Sequence, residues 1–347
     1  MKTHAWLQVE NRGLPKKNKV LPYGASALKL EVQTPNRRAK MRIAIMGAGA
    51  LGCYFGGRLT AAWHKVVFIA RGAQLKALTA SGLRIESGKG NLALKSVEAT
   101  DDPAKAGVAD VILFLVKNYH VEEAARQMLP MVGPHTMIIT GQNGVSAPER
   151  VEAITGKGSV VPGVVRMPAS LPEPGVVLHN ADFDHFTFGE TDLTQSDRVI
   201  AFRNALVEAG TMGKISDNIL HELWFKFIMQ ASFASITALT RLNNGPLRNN
   251  PASAQLFKDS MAEAQRVAEA EVPGFRKGTD VKLWDFLGQL PTGTHASMLD
   301  ELLRGKPIEI DALSGDVVRR GRAHGIPTPI HAVFEAALRP FEFGAPA

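Results

Sequence analysis

The amino-acid sequence predicts an α/β fold, in which a domain with a parallel sheet is followed by an all-helical domain. Two observations lead to this fold class. From residue 41 to about 190, short apolar runs rich in β-branched residues alternate with helical stretches, a pattern typical of parallel strands buried on both faces. From about residue 195 the strand pattern fades, and helical periodicity continues almost to the end of the chain. The length of 347 residues agrees with two domains.

Strands and helices of the first domain follow one another in regular order. We predict strands at RIAIM (42–46), KVVFIA (65–70), DVILFLV (110–116) and MIIT (137–140). We predict helices from about residue 50 and near residues 120–130. Residues 159–189 contain four prolines around SLPEPG. Because proline is tolerated at strand edges and in turns, we expect this stretch to form a hairpin at the margin of the sheet.

A basic extension, residues 1–40, precedes these domains. It holds nine Lys and Arg against two Glu, which accounts for the whole net charge of +7. Because the remaining body is formally neutral, we expect a disordered tail and no nucleic-acid-binding face. A start at Met41 is the alternative. Whatever the role of the extension, we predict the dinucleotide-type α/β domain over residues 41–212 and the helical domain over residues 213–347.

The composition also bounds the class of protein. No apolar stretch approaches the roughly 20 residues that span a bilayer, and the N-terminus lacks the compact apolar core of a secretory signal. The single cysteine, Cys53, cannot form an internal disulfide and is expected to be a packing residue. We therefore expect a cytoplasmic protein without a membrane partner. The oligomeric state stays open, with a homodimer as one outcome.

The segment GAGALG follows the first predicted strand and opens the first predicted helix. Its Gly47, Gly49 and Gly52 meet three steric needs of a bound dinucleotide: a tight turn, close approach of the backbone to the pyrophosphate, and close helix packing. Ala50 and Leu51 complete the turn. The sequence therefore predicts a Rossmann-type dinucleotide-binding domain.

Arg71 stands at the end of the second predicted strand, where NAD sites usually carry a carboxylate for the ribose 2′-hydroxyl. Residues 64–82 contain no acid. Because a guanidinium pairs with the 2′-phosphate that a carboxylate would repel, we predict NADPH as the cofactor, with a solvated loop arginine as the alternative. Two further positions stay open: Lys117 could face the ligand crevice or solvent, and Asn143 of QNG could belong to a site or to an ordinary tight turn.

A helix-length run, WFKFIMQASFASITAL (224–239), contains a single charged residue, Lys226. Burying an unpaired ammonium costs free energy, and a helix that is apolar nearly all round is a buried one. A surface ion pair with Glu222, worth about 0.3 kcal/mol, is the alternative. Because the flanking residues leave almost no polar face, we expect Lys226 to be a functional group.

The stretch HNADFDH contains residue types that can bind a metal. Strand alternation would place His179 and His185 on one face but Asp182 and Asp184 on the other. We therefore predict a solvated edge strand and no metal site.

Eight segments in this chain resemble, in order and spacing, the 2-dehydropantoate 2-reductases, also called ketopantoate reductases: GAGALG, FIAR, LVK, QNG, ELWFKF, TALTRLNNGPL, HASMLDELLRGKPIEIDALSGDVV and AHGIPTP. The resemblance extends from Met41 to about residue 340, and residues 297–309 are its most specific part. It implies NADPH-dependent reduction of a 2-oxo acid to a 2-hydroxy acid, namely 2-dehydropantoate to pantoate in pantothenate biosynthesis, or a related reaction.

The resemblance also implies roles for single residues. Lys226 would be the general acid, and Glu309 would fix this lysine. Contacts to the cofactor would come from Arg71, Lys117 and Asn143 besides the glycine turn. Contacts to the substrate would come from Asn143, Gln230, Asn244 and Ser297.

This chain departs from the family pattern at two positions. Where the family has asparagines four and eight residues after the lysine, this chain has Gln230 and Ala234. Alanine cannot form a side-chain hydrogen bond, so we expect the reductase chemistry to remain while the site discriminates differently among 2-oxo acids, with a substrate other than ketopantoate as one outcome.

Two rival functions stay open. A β-hydroxyacid-type dehydrogenase also combines a dinucleotide domain with a helical one, but residues 297–309 argue against it. A non-catalytic NADPH-binding regulator could use the same fold. The presence of both Lys226 and Glu309 would then have no explanation.

Overall fold

Thirteen strands lie in the part of the chain that the computed structural model describes, residues 40–346. In chain order they are β1 (Arg42–Met46), β2 (Lys65–Ile69), β3 (Leu83–Ser87), β4 (Leu92–Leu94), β5 (Glu98–Thr100), β6 (Val111–Phe114), β7 (Met137–Thr140), β8 (Val160–Val161), β9 (Gly163–Arg166), β10 (Ser170–Glu173), β11 (Val176–His179), β12 (His185–Phe188) and β13 (Met212–Ile215).

The helices of the same residues are α1 (Ala50–Ala61), α2 (Gly72–Ser81), α3 (Pro103–Ala106), α4 (Val121–Gln127), α5 (Ala147–Thr155), α6 (Asp197–Glu208), α7 (Ile219–Thr240), α8 (Asn244–Asn249), α9 (Pro251–Glu271), α10 (Thr279–Leu287), α11 (Ser297–Leu303), α12 (Asp316–Ala323) and α13 (Pro329–Leu338). Single turns of 3₁₀ helix follow β6 at Asn118–His120 and α13 at Arg339–Phe341, and a π turn spans Asp311–Gly315.

A six-stranded parallel sheet, in the order β5-β2-β1-β6-β7-β8, confirms the predicted α/β architecture. Its central strands are apolar on both faces because both faces are covered by other elements. Ile43 and Ile45 belong to one apolar cluster with Phe55 of α1, whereas Ala44 and Met46 belong to a second cluster with residues of α4. Because the strands are parallel, the segments that leave β1, β6 and β7 meet at one edge, where ligands of such sheets bind.

Two smaller sheets flank this parallel sheet. The proline-rich stretch forms a hairpin, β10 and β11, but this hairpin extends a four-stranded sheet in the order β10-β11-β3-β4 and not the margin of the parallel sheet. The third sheet has the order β13-β12-β9. Strand β13 was not predicted, since its four residues, MGKI, carry little strand signal and their pairing with β12 sets their conformation.

Two polar residues of HNADFDH are fully buried, so the prediction of a solvated edge strand is wrong. Strand β11 pairs on both sides, and His179 hydrogen-bonds Ser87 Oγ (2.8 Å). The Asp184 carboxylate accepts hydrogen bonds from Lys89 Nζ (2.6 Å) and Tyr54 Oη (2.8 Å). These partners come from distant segments. Among residues 40–346, no group of three or more His, Cys, Asp or Glu could hold a metal ion.

Helix α7 is the central element of the helical region, as its apolar sequence predicts. Asn218 caps its first turn by accepting a hydrogen bond from the backbone N–H of His221 (3.2 Å). The helix packs against α9, α11 and α13, and its buried side chains form one apolar cluster with theirs. It ends at Arg241, which adopts the left-handed conformation. Residue 226 is thereby carried into the interior.

The predicted basic extension lies outside the described residues, apart from Lys40. The proposed boundary between residues 212 and 213 stays a prediction, while strand gives way to helix between Ile215 and Ile219. None of the helices within residues 40–346 is long and apolar enough to cross a membrane.

Candidate active site

The glycine turn between β1 and α1 has the shape that a dinucleotide requires. Gly47 has φ +107°, and a Cβ there would lie 2.8 Å from the backbone of Leu115. A Cβ on Gly52 would lie 2.2 Å from the Gly47 carbonyl oxygen, so helix and strand could not approach as they do. Gly49, the N-cap of α1, faces open space, and a Cβ at this position would meet no atom within 4 Å.

The N-terminus of α1 is free to receive an anion. No acidic residue lies in the first turn, which begins with Ala50 and Leu51, and Gly49 provides no side-chain cap. Unpaired backbone N–H groups at such a terminus attract phosphate oxygens. The turn therefore fits a pyrophosphate over Gly49, as the sequence predicts.

Arg71 lies two residues after the end of β2 and forms the N-cap of α2. Its guanidinium donates two hydrogen bonds to Glu123 Oε1, from Nη2 (3.2 Å) and Nη1 (3.3 Å), and a further one to Gln127 Oε1. The side chain remains 58% exposed and is thus accessible to a ligand. Although residues 64–82 hold no acid, a carboxylate reaches this arginine from α4, 52 residues further along the chain.

Lys226 points into the interior and makes two hydrogen bonds. Its Nζ donates to the backbone oxygen of Val165 (2.9 Å) and to Asn143 Oδ1 (3.1 Å). Glu222 pairs with Arg166 Nη2 (2.7 Å), so the alternative of a Glu222–Lys226 surface pair is wrong. Burial, with a smaller contribution from the Arg166 cation, lowers the pKa of Lys226 from 10.5 to about 8, while Glu309 opposes this shift.

Glu309 is buried, with 7% of its surface exposed. Its Oε2 accepts from Lys117 Nζ (3.2 Å), and its Oε1 accepts from the backbone N–H (2.9 Å) and Nδ2 (2.8 Å) of Asn118. Burial raises the pKa of Glu309, but Lys117 and the Asn118 hydrogen bonds outweigh it, and the pKa lies below its ordinary value. Within residues 40–346 no ion pair joins Glu309 to Lys226, so its effect on the lysine is through space.

Lys117 lies beyond β6, at the carboxyl edge of the sheet. It pairs with Glu301 Oε1 (2.6 Å) besides Glu309. Burial acts against its charge, yet the two carboxylates hold the pKa of Lys117 above its ordinary value. A contact between Lys117 and the cofactor stays a prediction.

One pocket brings together five of the six predicted catalytic and substrate-binding residues. Its polar lining includes Asn143, Lys226, Gln230, Ser297 and Glu309. Its apolar lining includes Met229, Phe233, Ala234, Met298 and Leu313. The pocket thus combines one amine, two carboxylates, several hydrogen-bonding groups and an apolar wall, a composition typical of a site for a small molecule.

Three amide side chains in this region, those of Asn118, Gln230 and Asn244, have a buried oxygen without a partner among the described residues. Gln230 lines the pocket, and its buried Oε1 has no partner among the described residues. Asn244 begins α8 and does not line the pocket. Its Nδ2 donates to Leu287 O (2.7 Å), and its buried Oδ1 is likewise unpartnered within residues 40–346. Substrate contact by Asn244 therefore stays a prediction that this geometry does not support directly.

Four residues of the site were not found from the sequence: Asn118, Glu123, Arg166 and Glu301. Each acts through a partner distant in the chain, and no local pattern marks such a pairing. Asn118 directly follows the candidate Lys117, and Glu301 lies between Ser297 and Glu309, so proximity to predicted residues was the only signal.

A parallel sheet with a glycine turn at its carboxyl edge, together with a half-buried lysine in a pocket, is typical of a dinucleotide-binding oxidoreductase. The chain belongs to the ketopantoate reductase PanE/ApbA family: residues 43–192 match the model of this family, and residues 218–342 match the model of its C-terminal part.

Similar proteins support this assignment over nearly their whole length. The 2-dehydropantoate 2-reductase of Mesorhizobium japonicum is 33% identical, over 86% of this chain and 97% of its own. That of Archaeoglobus fulgidus is 30% identical, over 87% and 98%. The crystal structure of a PanE/ApbA family ketopantoate reductase from Ralstonia eutropha has 32% identity and a TM-score of 0.79, over 86% of this chain and 98% of that one.

Two glycine substitutions should separate packing from dinucleotide binding. Gly52→Ala places a methyl group against Gly47 O and should destabilise the fold by about 1–3 kcal/mol, seen as a lower Tm. Gly49→Ala meets no atom, so its Tm should equal that of the wild type, but it should weaken dinucleotide binding measured by calorimetry. If Gly49→Ala binds the dinucleotide as tightly as the wild type does, the pyrophosphate does not lie over Gly49.

Proposed function

We propose that the protein reduces a 2-oxo acid to a 2-hydroxy acid with NADPH, with Lys226 as the general acid and 2-dehydropantoate as the substrate. The observation that carries the proposal is the Lys226 ammonium inside the pocket, held by Val165 O and Asn143 Oδ1. The names of the relatives from M. japonicum and A. fulgidus support the substrate.

The nicotinamide, when bound, supplies the hydride to the carbonyl carbon of the substrate. Negative charge then develops on the carbonyl oxygen. An ammonium has three N–H donors, and two of those of Lys226 are engaged by Val165 O and Asn143 Oδ1. The third is available to stabilise the developing alkoxide and to transfer a proton to it.

The pocket offers partners for both ends of a 2-oxo acid. Ser297, at the start of α11, is the proposed partner of the carboxylate. The unpartnered Gln230 Oε1 would accept a hydrogen bond from a substrate hydroxyl, which would remove the cost of an unpaired buried acceptor. The apolar wall, including Phe233 and Leu313, suits the branched carbon skeleton of the substrate.

A second candidate is a reductase of more apolar 2-oxo acids. Ala234, one helical turn after Gln230, adds no hydrogen-bonding group to the pocket, and the side chains around it are apolar. A single amide, Gln230, would then discriminate weakly in favour of a substrate hydroxyl.

The function is tested by following NADPH oxidation with 2-dehydropantoate and with 3,3-dimethyl-2-oxobutanoate, which has the same branched skeleton without the hydroxyl. We expect turnover of 2-dehydropantoate, and a higher kcat/KM for the analogue would favour the second candidate.

Lys226→Met should lower kcat by about 10²- to 10⁴-fold without loss of NADPH binding. Lys282→Met, on the exposed face of α10, is the control and should behave as the wild type.

The pH dependence tests the role of Lys226 separately. Reduction requires the ammonium form, so its rate should fall as the pH rises through about 8. The reverse oxidation requires the neutral amine, so its rate should rise through the same range. A reduction rate independent of pH up to 10.5, the ordinary pKa of lysine, would contradict a proton transfer from Lys226. Cofactor binding without turnover of any 2-oxo acid would instead support the non-catalytic regulator.

NADPH preference is proposed to rest on Arg71, whose guanidinium must exchange Glu123 for the 2′-phosphate. Arg71→Ala should raise the KM for NADPH about 10- to 100-fold and leave that for NADH unchanged, since hydrogen bonds to charged groups contribute about 1.5–3 kcal/mol. Glu123→Gln should lower the KM for NADPH, because the competing carboxylate is removed.

Arg84→Ala provides a matched control for this cofactor test. Arg84 is similarly exposed and also pairs with a glutamate, Glu173, but it lies on β3 of the second sheet. Its substitution should change neither KM. If Arg71→Ala raises the KM for NADPH and the KM for NADH equally, Arg71 does not bind the 2′-phosphate.

A further inference from the structure

We propose that Asn118 is a positioning residue whose side chain fixes Glu309 and Asn143 together, and thereby sets the place and the charge of Lys226. This inference rests on the proposed role of Lys226 as general acid. Asn118 is not itself a lining residue of the pocket and makes no hydrogen bond to the lysine, so it would act through the two lining residues that it holds, Glu309 and Asn143.

The Asn118 amide uses both of its N–H donors on the site. Nδ2 donates to Glu309 Oε1 (2.8 Å) and to the backbone oxygen of Asn143 (2.8 Å). Because both neighbours are acceptors, the NH₂ group and not the oxygen must face them. The side chain is 3% exposed, so water cannot easily replace either bond.

The position of Asn118 is itself fixed by a second layer of contacts. Its backbone N–H donates to Glu309 Oε1 (2.9 Å), and its carbonyl accepts from Arg150 Nη2 (2.9 Å). Arg150 forms a bidentate ion pair with Glu122 on α4, at 2.6 and 2.7 Å. Such planar pairs restrict orientation more than a single hydrogen bond does.

Two consequences reach Lys226 from this arrangement. Asn143 Oδ1 accepts a hydrogen bond from the ammonium, so a displaced Asn143 backbone would turn the remaining N–H away from the substrate oxygen. The negative charge of Glu309 favours the ammonium form of Lys226. Movement or protonation of Glu309 would therefore lower the pKa of Lys226, and less of the amine would carry the proton at neutral and alkaline pH.

The charged and titratable groups that face Glu309 come from three elements. Lys117 and Tyr119 lie on either side of Asn118, Glu301 lies on α11, and Lys226 lies on α7. Lys117 and Asn118 favour the carboxylate form, whereas burial opposes it. Removing the amide should therefore raise the pKa of Glu309.

The test compares Asn118→Ala, Asn118→Asp and Asn118→Ser in the full-length protein. Asn118→Ala should lower kcat/KM for the 2-oxo acid about 10- to 100-fold, since a displaced acid loses its alignment. The low-pH side of the rate profile, called the acid limb here, reflects protonation of Glu309. It should move to higher pH in Asn118→Ala. It should move further in Asn118→Asp, because that substitution sets two carboxylates side by side. Asn118→Ser keeps one donor and should restore part of the rate.

A matched control separates positioning from stability. Asn250 caps α9 by accepting hydrogen bonds from Ala252 N and Ser253 N, remote from the pocket. Asn250→Ala should lower the Tm but leave kcat/KM and the acid limb unchanged. The inference is overturned if the Asn118 variants also show a lower Tm with unchanged kcat/KM and acid limb. It is likewise overturned if kcat/KM of Asn118→Ser is no higher than that of Asn118→Ala.

A ¹³C NMR titration of the Glu309 carboxyl in the same variants distinguishes this inference from the proposed function. A raised Glu309 pKa in Asn118→Ala supports the positioning role even if the wild type reduces no 2-oxo acid, a result that would overturn the proposed function alone. An unchanged Glu309 pKa in a folded Asn118→Ala protein overturns the inference.

Discussion

The site depends on the burial of one ammonium group beside the carboxyl edge of the parallel sheet. Lys226 is carried there by α7, a helix that is buried because its sequence is apolar nearly all round. Desolvation brings its pKa to about 8, and Val165 O and Asn143 Oδ1 fix its direction. A lysine in water would lose its proton far less readily at neutral pH, so the desolvated position would make the amine a usable acid in the proposed reaction.

Much of the fold could be predicted from the sequence where local pattern and burial agree. The runs RIAIM and MIIT coincide with β1 (Arg42–Met46) and β7 (Met137–Thr140), since strands buried on both faces are continuous apolar runs. Strand β13 and the sheet that receives the hairpin β10–β11 were not predictable in the same way. Their conformation is set by pairing with distant strands, and the short sequences involved carry little preference of their own.

The candidate site shows the same division. Lys226, Asn143 and Ser297 were predicted and share one pocket, because family motifs and an apolar helix marked them. Asn118 and Glu309 are 191 residues apart, and their contact exists only after the sheet and the helical region have packed. The acid partner of Arg71 was likewise hidden, since Glu123 belongs to another helix. Residues proposed to carry the chemistry can thus be predicted from the sequence more readily than residues proposed to hold them in place.

The central claim is that the Lys226 amine is desolvated in the folded protein and therefore titrates well below an ordinary lysine. An NMR titration of ¹³Cε-labelled lysine, with the Lys226 signal assigned by its loss in Lys226→Met, measures this directly. We expect a midpoint near pH 8. A midpoint near the ordinary value of 10.5 would show an amine in contact with water and would contradict the account.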